Sequence, residues 1–295
     1  MRVGILGGGR WGQALARLTI AAGHEPFIAY QGKRPPHILP STNNPPEVSQ
    51  ACELLIAATS ASELRNALRL AKPSINNHLI VAGRGMEPAS GLWLTEVVEQ
   101  ECKVARIGAL AGPAPIDEIL NGGLCAGLIA SPWSEICDQV IEALDSTRYR
   151  VYPTHDLIGV QLASALVPVL ASLVGVIRSL PGAGVGLYAN VLTGGLFEGV
   201  AMARALGAQP ETLLGLSGVG DLVAVQANPQ HGSFKAGSAV VAGQSSQEGP
   251  IQLARVLLSK AQQLGVETPL IAGLVAMADG TEPLEVVTRL MDRGR

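Results

Sequence analysis

Near the N-terminus the sequence reads Val3-Gly4-Ile5-Leu6-Gly7-Gly8-Gly9-Arg10-Trp11-Gly12, and this segment is the strongest indication of the fold. Its apolar start is typical of a buried parallel strand, and a helical pattern over residues 13–22 follows the glycine-rich turn. The turn has the spacing G-x-G-x-x-G. Between a strand and a helix, such a turn lets the backbone approach a pyrophosphate, whose charge meets the free N–H groups of the helix. This context favours dinucleotide binding over a merely structural glycine turn, and the predicted cofactor-binding residues are Gly7, Gly9, Arg10, Trp11 and Gly12.

The first half of the chain alternates strand and helix patterns. The Pro- and Asn-rich residues 32–46 are predicted to form a loop. This alternation predicts an α/β architecture, with a Rossmann-type doubly wound parallel sheet as the N-terminal domain, residues 1–153. The predicted strands are residues 3–6, 26–30, 53–58, 78–82, 104–110, 124–130 and 149–151.

Strand patterns stop at Asp156, and long apolar helical segments follow. We expect a C-terminal all-helical domain, residues 154–295, for substrate binding or dimerisation. Its helices are expected to break at Pro181-Gly182, Gly194-Gly195, Gly218 to Gly220 and Gly243 to Pro250.

The end of the second predicted strand bears on the choice of cofactor. An NAD-selective site usually has an acidic residue here, which accepts from the ribose 2'-hydroxyl, but Ala29-Tyr30-Gln31-Gly32-Lys33-Arg34 contains no acid. Lys33 and Arg34 could compensate the 2'-phosphate of NADP, although a solvated basic loop would have the same composition. The sequence therefore favours NADP over NAD.

Composition narrows the classes of partner and site. The formal net charge of −3 provides no broad basic field, which argues against nucleic acid as a partner. The four cysteines lack the spacing of zinc ligands, so no metal site is predicted, and free thiols with no export signal favour a cytoplasmic location. Residues 157–177 carry no charge, but their polar interruptions favour a buried core helix over a membrane span.

Four motifs in order resemble the bacterial type of the NAD(P)-dependent glycerol-3-phosphate dehydrogenase family. They are Gly9 to Ala16, Gly112-Pro113-Ala114-Pro115, Asp156 to Leu162 with Ala165-Leu166, and Gly207-Ala208 through Gly220-Asp221-Leu222. The resemblance covers roughly residues 1 to 290. It implies a Rossmann domain, a helical domain, a cleft between them, and hydride exchange between NAD(P)H and dihydroxyacetone phosphate.

The resemblance also implies where the family's chemical groups should lie. Its catalytic lysine and the following asparagine correspond to Val167 and Pro168. The Ser-Arg-Asn clamp for the substrate phosphate falls on His231-Gly232-Ser233, and the arginine of a Thr-Arg-Gly segment falls on Gly194. The threonine expected four residues after Asp221 is Val225. Uncharged side chains thus replace most of the groups that transfer protons or hold phosphate.

Three residues of the implied site are retained or keep their charge. Asp221 matches the family's Gly-x-Gly-Asp-Leu motif, although it could simply cap the next helix. Arg84 in Gly83-Arg84-Gly85 replaces a lysine, and we name Asp221 and Arg84 as the catalytic candidates. Glu248 matches a family Glu-Gly pair near the cofactor. His155, His231 and Lys235 are possible substitute groups, but surface roles are more common for such residues.

These observations leave three functions open. The chain is an oxidoreductase for glycerol 3-phosphate or another small substrate, a catalytically inactive NADP(H)-binding sensor or scaffold, or, less favoured, a membrane-associated protein. Because Val167 stands where the resemblance places the lysine, we do not expect ordinary glycerol 3-phosphate turnover. A missing general acid lowers the rate by about 100- to 10,000-fold. The expected partners are a small molecule or nucleotide and, in a homodimer, a second copy of the chain.

Overall fold

The computed structural model of the chain describes residues 1–32, 35–36, 39–113, 115–244 and 248–291. It divides into two compact units, residues 1–161 and 162–295. The division falls inside a helix that begins at Leu157, close after the last strand of the sheet.

The first unit is a Rossmann-type α/β sandwich. Its described residues form an eight-stranded sheet in the order β3-β2-β1-β4-β5-β6-β7-β8. The strands are β1 (Arg2–Leu6), β2 (Glu25–Ala29), β3 (Ser41–Thr42), β4 (Leu54–Ala57), β5 (His78–Val81), β6 (Arg106–Ala111), β7 (Cys125–Ala130) and β8 (Tyr149–Thr154). The helices are α1 (Arg10–Ala21), α2 (Pro45–Ala51), α3 (Leu64–Ala71), α4 (Leu94–Glu101), α5 (Ile116–Leu120) and α6 (Ser134–Leu144).

The strands are buried on both faces, because helices cover each side of the sheet. Leu54 and Ile56 pack into one apolar cluster with α1, α5 and α6, and Leu55 and Ala57 pack into another with α2, α3 and α4. Successive side chains of a strand point to opposite faces of the sheet, so a fully apolar run such as Leu54–Ala57 contributes side chains to both apolar clusters.

Two features of the sheet differ from the sequence prediction. A short strand, Ser41–Thr42, pairs with β2 inside the segment expected to be a loop, because Tyr30 N–H donates to the Thr42 carbonyl. The pairing of β6 with β7 is antiparallel, although the other neighbouring strands run parallel. The chain therefore reverses direction after β6, and the carboxyl ends of β7 and β8 point away from those of the first six strands.

The second unit is helical throughout its described residues. Its helices are α7 (Leu157–Ser179), α8 (Val185–Ala205), α9 (Pro210–Leu214), α10 (Asp221–Gln226), α11 (Gly232–Val241), α12 (Pro250–Gln263), α13 (Pro269–Ala278) and α14 (Pro283–Met291). The first residues of α7, before residue 162, belong to the first unit. A π-helical turn lies at Leu216–Gly220.

The expected break at Gly194-Gly195 is wrong, because α8 runs through both residues. These glycines permit close packing. A Cβ atom at Gly195 would overlap the side chain of Leu170, and one at Gly194 would lie 2.8 Å from Leu270 Cδ1. Glycine costs a helix about 1 kcal/mol relative to alanine, which tight contact between helices can offset.

Two helices have the length and apolar composition to cross a membrane, α7 and α8. The most apolar part of α7 is 94% buried inside the protein, which fits the predicted core helix, whereas the corresponding part of α8 is 28% buried.

Candidate functional site

The turn between β1 and α1 is shaped by its glycines. Gly7 has φ of +125°, a left-handed conformation that favours glycine. A Cβ atom at Gly12 would overlap the Gly7 carbonyl oxygen, so only glycine lets α1 start this close to β1. Gly9 differs, since no protein atom lies within 4 Å of the position that its Cβ would take. The turn therefore has closely packed ends and open space at its centre.

Hydrogen bonds hold this turn in place. Gly7 N–H donates to Ala29 O of β2 over 2.9 Å, and Gln13 Nε2 donates to Gly8 O over 2.9 Å. No side chain caps α1, and its first turn contains no acidic residue. The N-terminal amides and their partial positive charge thus favour an anion at Gly9.

The two predicted cofactor residues beside the glycines have protein partners. Arg10 forms an ion pair with Asp117 at the start of α5, and both side chains are exposed. Trp11 Nε1 donates to Ala82 O over 2.9 Å. Sequence reasoning missed both contacts, because Asp117 and Ala82 are distant in the chain and follow other strands.

Arg84 lies at the same edge of the sheet as the glycine turn. It is exposed in the loop after β5, one residue before Gly85, which has φ of +91°. A Cβ atom at Gly83 would lie 2.8 Å from Thr59 O, so the loops after β4 and β5 are in close contact. The structure thus brings Arg84 to the edge that carries Gly7, Gly9, Trp11 and Gly12.

A pocket of about 290 Å³ opens beside the glycine turn. It lies at the ends of β1, β2 and β4 and the start of α3. Its lining residues are Leu6, Gly7, Gly8, Gly9, Ala29, Tyr30, Gln31, Pro45, Ala58, Thr59, Ser60, Glu63, Asn66 and Ala67. Lys33 and Arg34, predicted to select NADP, lie outside the described residues. Glu63 and Asn66 were missed, since no motif marks the start of α3.

A network of charged side chains anchors the loop after β5. Arg65 of α3 binds Glu87 through Nε and Nη2, each over 2.7 Å, and also donates to Glu101 of α4. Arg69 donates to Glu101 over 2.8 and 2.9 Å. Hydrogen bonds from the two arginines lower the pKa of Glu101 to about 2.

Burial raises the pKa of each of the four thiols in the first unit above its ordinary value. Burial raises the pKa of Cys52 and of Cys102 to about 11, so both stay protonated at neutral pH. Across the described ranges, no three His, Cys, Asp or Glu side chains cluster as metal ligands.

Asp221 and Glu248 belong to the second unit. Asp221 is the first residue of α10 and is 2% exposed. It follows the π-helical turn and is not itself the N-cap residue, which is Gly220. Glu248 is exposed and immediately precedes Gly249, the N-cap of α12.

Three positions of the second unit at which the resemblance places reactive groups of the family hold apolar residues. Val167 is 2% exposed and Val225 is 5% exposed. Pro168 lies inside α7, where it cannot donate a backbone hydrogen bond. Gly232 is the first residue of α11, so no cation stands where the resemblance places the phosphate-binding arginine.

The possible substitute groups have structural roles or exposed positions. His155 Nδ1 lies 2.9 Å from Ser131 O, at the end of β7 and β8 that points away from the glycine turn. His231 Nδ1 accepts from Ser233 N–H and caps α11. Lys235 is exposed on that helix.

Sequence reasoning also missed a buried carboxylate, Glu198 of α8, which is 7% exposed. It accepts from the backbone N–H groups of Leu270, over 2.6 Å, and Ile271, over 3.2 Å. These amides belong to the first turn of α13, whose partial positive charge suits a carboxylate.

Comparison with known proteins agrees with this architecture. Residues 29–137 match the family model for the NAD-dependent glycerol-3-phosphate dehydrogenase N-terminus, and residues 156–289 match that for the C-terminus. A glycerol-3-phosphate dehydrogenase (NAD(P)+) of Azotobacter vinelandii is 33% identical over 320 residues, which cover 98% of this chain and 94% of the relative. One from Ectopseudomonas mendocina is also 33% identical, with 99% and 94% covered.

Solved structures share the fold. The glycerol-3-phosphate dehydrogenase of Coxiella burnetii has a TM-score of 0.87 at 22% identity, with 99% of each chain covered. A ketopantoate reductase from Ralstonia eutropha has a TM-score of 0.63 at 14% identity, with 99% of this chain and 100% of that chain covered. Both family models and the whole-length relatives agree, and the chain therefore belongs to the NAD-dependent glycerol-3-phosphate dehydrogenase family, whose members are NAD(P)-linked oxidoreductases.

Proposed function

We propose that this chain binds a nicotinamide dinucleotide at the β1–α1 turn but does not carry out ordinary turnover of dihydroxyacetone phosphate. The observation that carries the proposal is a contrast between two positions. Gly9 leaves open space for a pyrophosphate at an uncapped helix N-terminus, while position 167, where the family has its catalytic lysine, holds a buried valine.

The residues of the first unit fit a dinucleotide. Gly7 and Gly12 bring α1 close to β1, and the helix amides can donate to the pyrophosphate without competition from an acid in the first turn. When bound, the nicotinamide ring supplies or accepts the hydride. Arg84, at the same edge of the sheet, would meet a negative charge on a substrate or on the dinucleotide.

At the positions where the resemblance places the acid and the phosphate-binding cation, the second unit has Val167, Pro168 and Gly232. Reduction of a carbonyl needs an acid that protonates the developing alkoxide, and neither Val167 nor Pro168 can supply a proton. Without such an acid, the rate falls by about 100- to 10,000-fold. Gly232 in place of arginine also removes the bidentate cation that would bind the substrate phosphate.

Binding without turnover is what a sensor or scaffold needs, since the nucleotide then reports its own concentration without being consumed. We further propose NADP as the preferred dinucleotide, because no acid follows β2 in Tyr30-Gln31-Gly32. We also propose a cytoplasmic location, which the free cysteines of this chain support.

Calorimetric titration of the full chain with NADPH and NADH, followed by an absorbance assay with excess dihydroxyacetone phosphate, tests this proposal. The Azotobacter vinelandii relative serves as the positive control for the assay. We expect binding, tighter for NADPH, and no oxidation above background. If the wild-type protein oxidises the dinucleotide, and Arg84→Ala or Asp221→Ala abolishes that oxidation, the proposed loss of activity is refuted. Failure of both dinucleotides to bind would refute the nucleotide site itself.

A further inference from the structure

A pocket of about 430 Å³ opens in the second unit between α8, α13 and α14, and we call it the α8–α14 pocket. Its walls are mainly apolar and include Leu187 and Val191 of α8, Leu270 of α13, and Val287 and Leu290 of α14. Sites for small molecules typically have about 300–1,000 Å³ of space and mostly apolar walls. The size and the lining of this pocket therefore suit a small ligand with an apolar body.

Large apolar side chains are exposed to solvent at the same place. Phe197 of α8 is 68% exposed, Met291 at the end of α14 is 60% exposed, and both line the pocket. Asn190 Nδ2 lies 3.7 Å from Met291 Sδ, which links α8 to α14 beside the pocket. Exposed apolar side chains that meet at a concave surface indicate a binding site, whereas isolated ones do not. A ligand in the pocket would remove part of this surface from water.

The pocket also carries two acidic side chains, Glu198 and Glu267. Among the described residues that line it, there is no Lys, Arg or His. Glu198 is 7% exposed and accepts from the amides of Leu270 and Ile271, so its carboxylate is already ordered before a ligand binds. Glu267 is exposed and comes shortly before α13. Two carboxylates beside apolar walls produce a negative potential, which attracts a cation.

An organic cation suits these groups better than a metal ion does. A hard cation such as Ca²⁺ takes about six to eight oxygen ligands, and the described chain has no cluster of three metal-ligating side chains. A positively charged nitrogen can instead donate to a carboxylate while its carbon chain lies against the apolar walls. The amides of α13 offset part of the Glu198 charge, so we expect Glu267 to contribute most of the attraction.

Gly194 leaves room for such a ligand next to Glu198. The two residues are four positions apart on α8 and so lie on the same face of the helix. Near the position that a Cβ of Gly194 would take, the described residues bring one atom within 4 Å, the flexible end of Leu270. Any larger side chain at position 194 would extend into the pocket.

We propose that the α8–α14 pocket binds a small organic cation, namely an ammonium or guanidinium group on an aliphatic chain. The charged group lies against Glu267 and Glu198, and the chain packs along Leu187, Leu270 and Leu290. All the lining residues belong to the second unit, whereas Gly7, Gly9 and Gly12 belong to the first. The inference therefore does not depend on the proposed nucleotide function.

The test is a nuclear magnetic resonance titration of the full chain labelled with ¹³C at the methionine methyl groups. Hexylammonium is the probe, and 1-hexanol and hexanoate are its neutral and anionic counterparts. The chain has five methionines, of which Met291 lines the pocket, and Met291→Leu assigns its signal. The Met291 signal should shift saturably with hexylammonium, while that of Met86 in the first unit should not.

The affinities measured from this signal show whether the charge is recognised. Hexylammonium should bind about tenfold more tightly than 1-hexanol, and hexanoate should bind most weakly, because the ligand's cation gains a charge-assisted hydrogen bond. Hexylguanidinium tells the two charged groups apart.

Two variants separate charge from space. Glu267→Gln should reduce the preference for hexylammonium over 1-hexanol to below about threefold. Gly194→Leu fills part of the pocket and should weaken the binding of all probes. The matched control is Glu211→Gln, because Glu211 is an exposed carboxylate of α9 outside the pocket, and it should retain the full preference.

Three results would overturn the inference. One is a Met291 signal that hexylammonium does not shift. Another is equal affinity of the wild type for hexylammonium and 1-hexanol, or a preference that Glu267→Gln leaves unchanged. The third is a Met291 signal that shifts with protein concentration in the absence of any probe, which would show that a second copy of the chain covers the pocket.

Discussion

The indole nitrogen of Trp11 donates a hydrogen bond to the carbonyl oxygen of Ala82 over 2.9 Å and so joins the first turn of α1 to the loop after β5. This loop carries Arg84. We expect Trp11→Phe to remove the bond at a cost of about 1 kcal/mol in the free energy of unfolding. Amide hydrogen exchange should become faster in residues 83–91. Unchanged exchange there would show that Glu87 and its arginine partner hold the loop without help from the indole.

Two glycines of the β1–α1 turn should respond differently to alanine. Gly12→Ala places a Cβ against the Gly7 carbonyl, so it should destabilise the fold by about 1–3 kcal/mol and weaken dinucleotide binding. Gly9→Ala meets no protein atom within 4 Å and should change stability by less than about 1 kcal/mol. It should nevertheless lower dinucleotide affinity about tenfold, because its methyl group occupies the space for the pyrophosphate.

Urea unfolding and calorimetry of both variants separate these effects. Wild-type affinity in Gly9→Ala would mean that the pyrophosphate does not approach the backbone at this residue.

The charged network around Glu101 predicts a pH dependence of stability. Its pKa in the folded protein is about 2, below the ordinary value of 4.5, because Arg65 and Arg69 stabilise the carboxylate. The folded state therefore binds fewer protons than the unfolded state between these values. The stabilisation is fully present above about pH 5 and is lost as the pH falls toward 2.

Comparison of wild-type protein with Glu101→Gln by urea unfolding checks this. The difference in the free energy of unfolding should be greatest near neutral pH and should shrink progressively below about pH 5. A difference that stays constant down to pH 3 would show that the ion pairs contribute nothing.

Glu198 should be important for the stability of the second unit. Glu198→Gln keeps the shape of the side chain but removes the negative charge that accepts hydrogen bonds from two backbone amides of α13. This change should lower the free energy of unfolding by about 1–3 kcal/mol. Glu285→Gln is the control, since Glu285 forms an exposed pair with Arg289 worth less than about 1 kcal/mol. Thermal unfolding should distinguish the two variants, and equal small losses would argue against this role for Glu198.

The sequence predicted those parts of the fold that depend on local pattern. Gly7, Gly9 and Gly12 indicated the turn, and the apolar runs indicated the sheet, because a strand buried on both faces needs consecutive apolar residues. The strand Ser41–Thr42 was missed, since two residues show no alternation. Gly194 and Gly195 were taken as a helix break, because glycine at a helix contact cannot be distinguished from a terminator without knowledge of the neighbouring helix.

The candidate site was less predictable, because its polar groups come from separate segments. Asp117 and Ala82 make their contacts with residues 71 or more positions away. Glu63 and Asn66 have neither a motif nor a regular spacing relative to the glycines. Their side chains reach the pocket only because β4 lies next to β1 in the sheet.

The antiparallel pairing of β6 with β7 places the turn after β7 at the end of the sheet opposite the glycine turn. After β7 the chain turns at Ser131, whose hydroxyl donates to the Ile107 carbonyl near the amino end of β6. Pro132 in this turn is exposed and lies away from the glycine turn. A fluorescent label attached at Pro132→Cys would therefore report on the protein without occupying the nucleotide pocket.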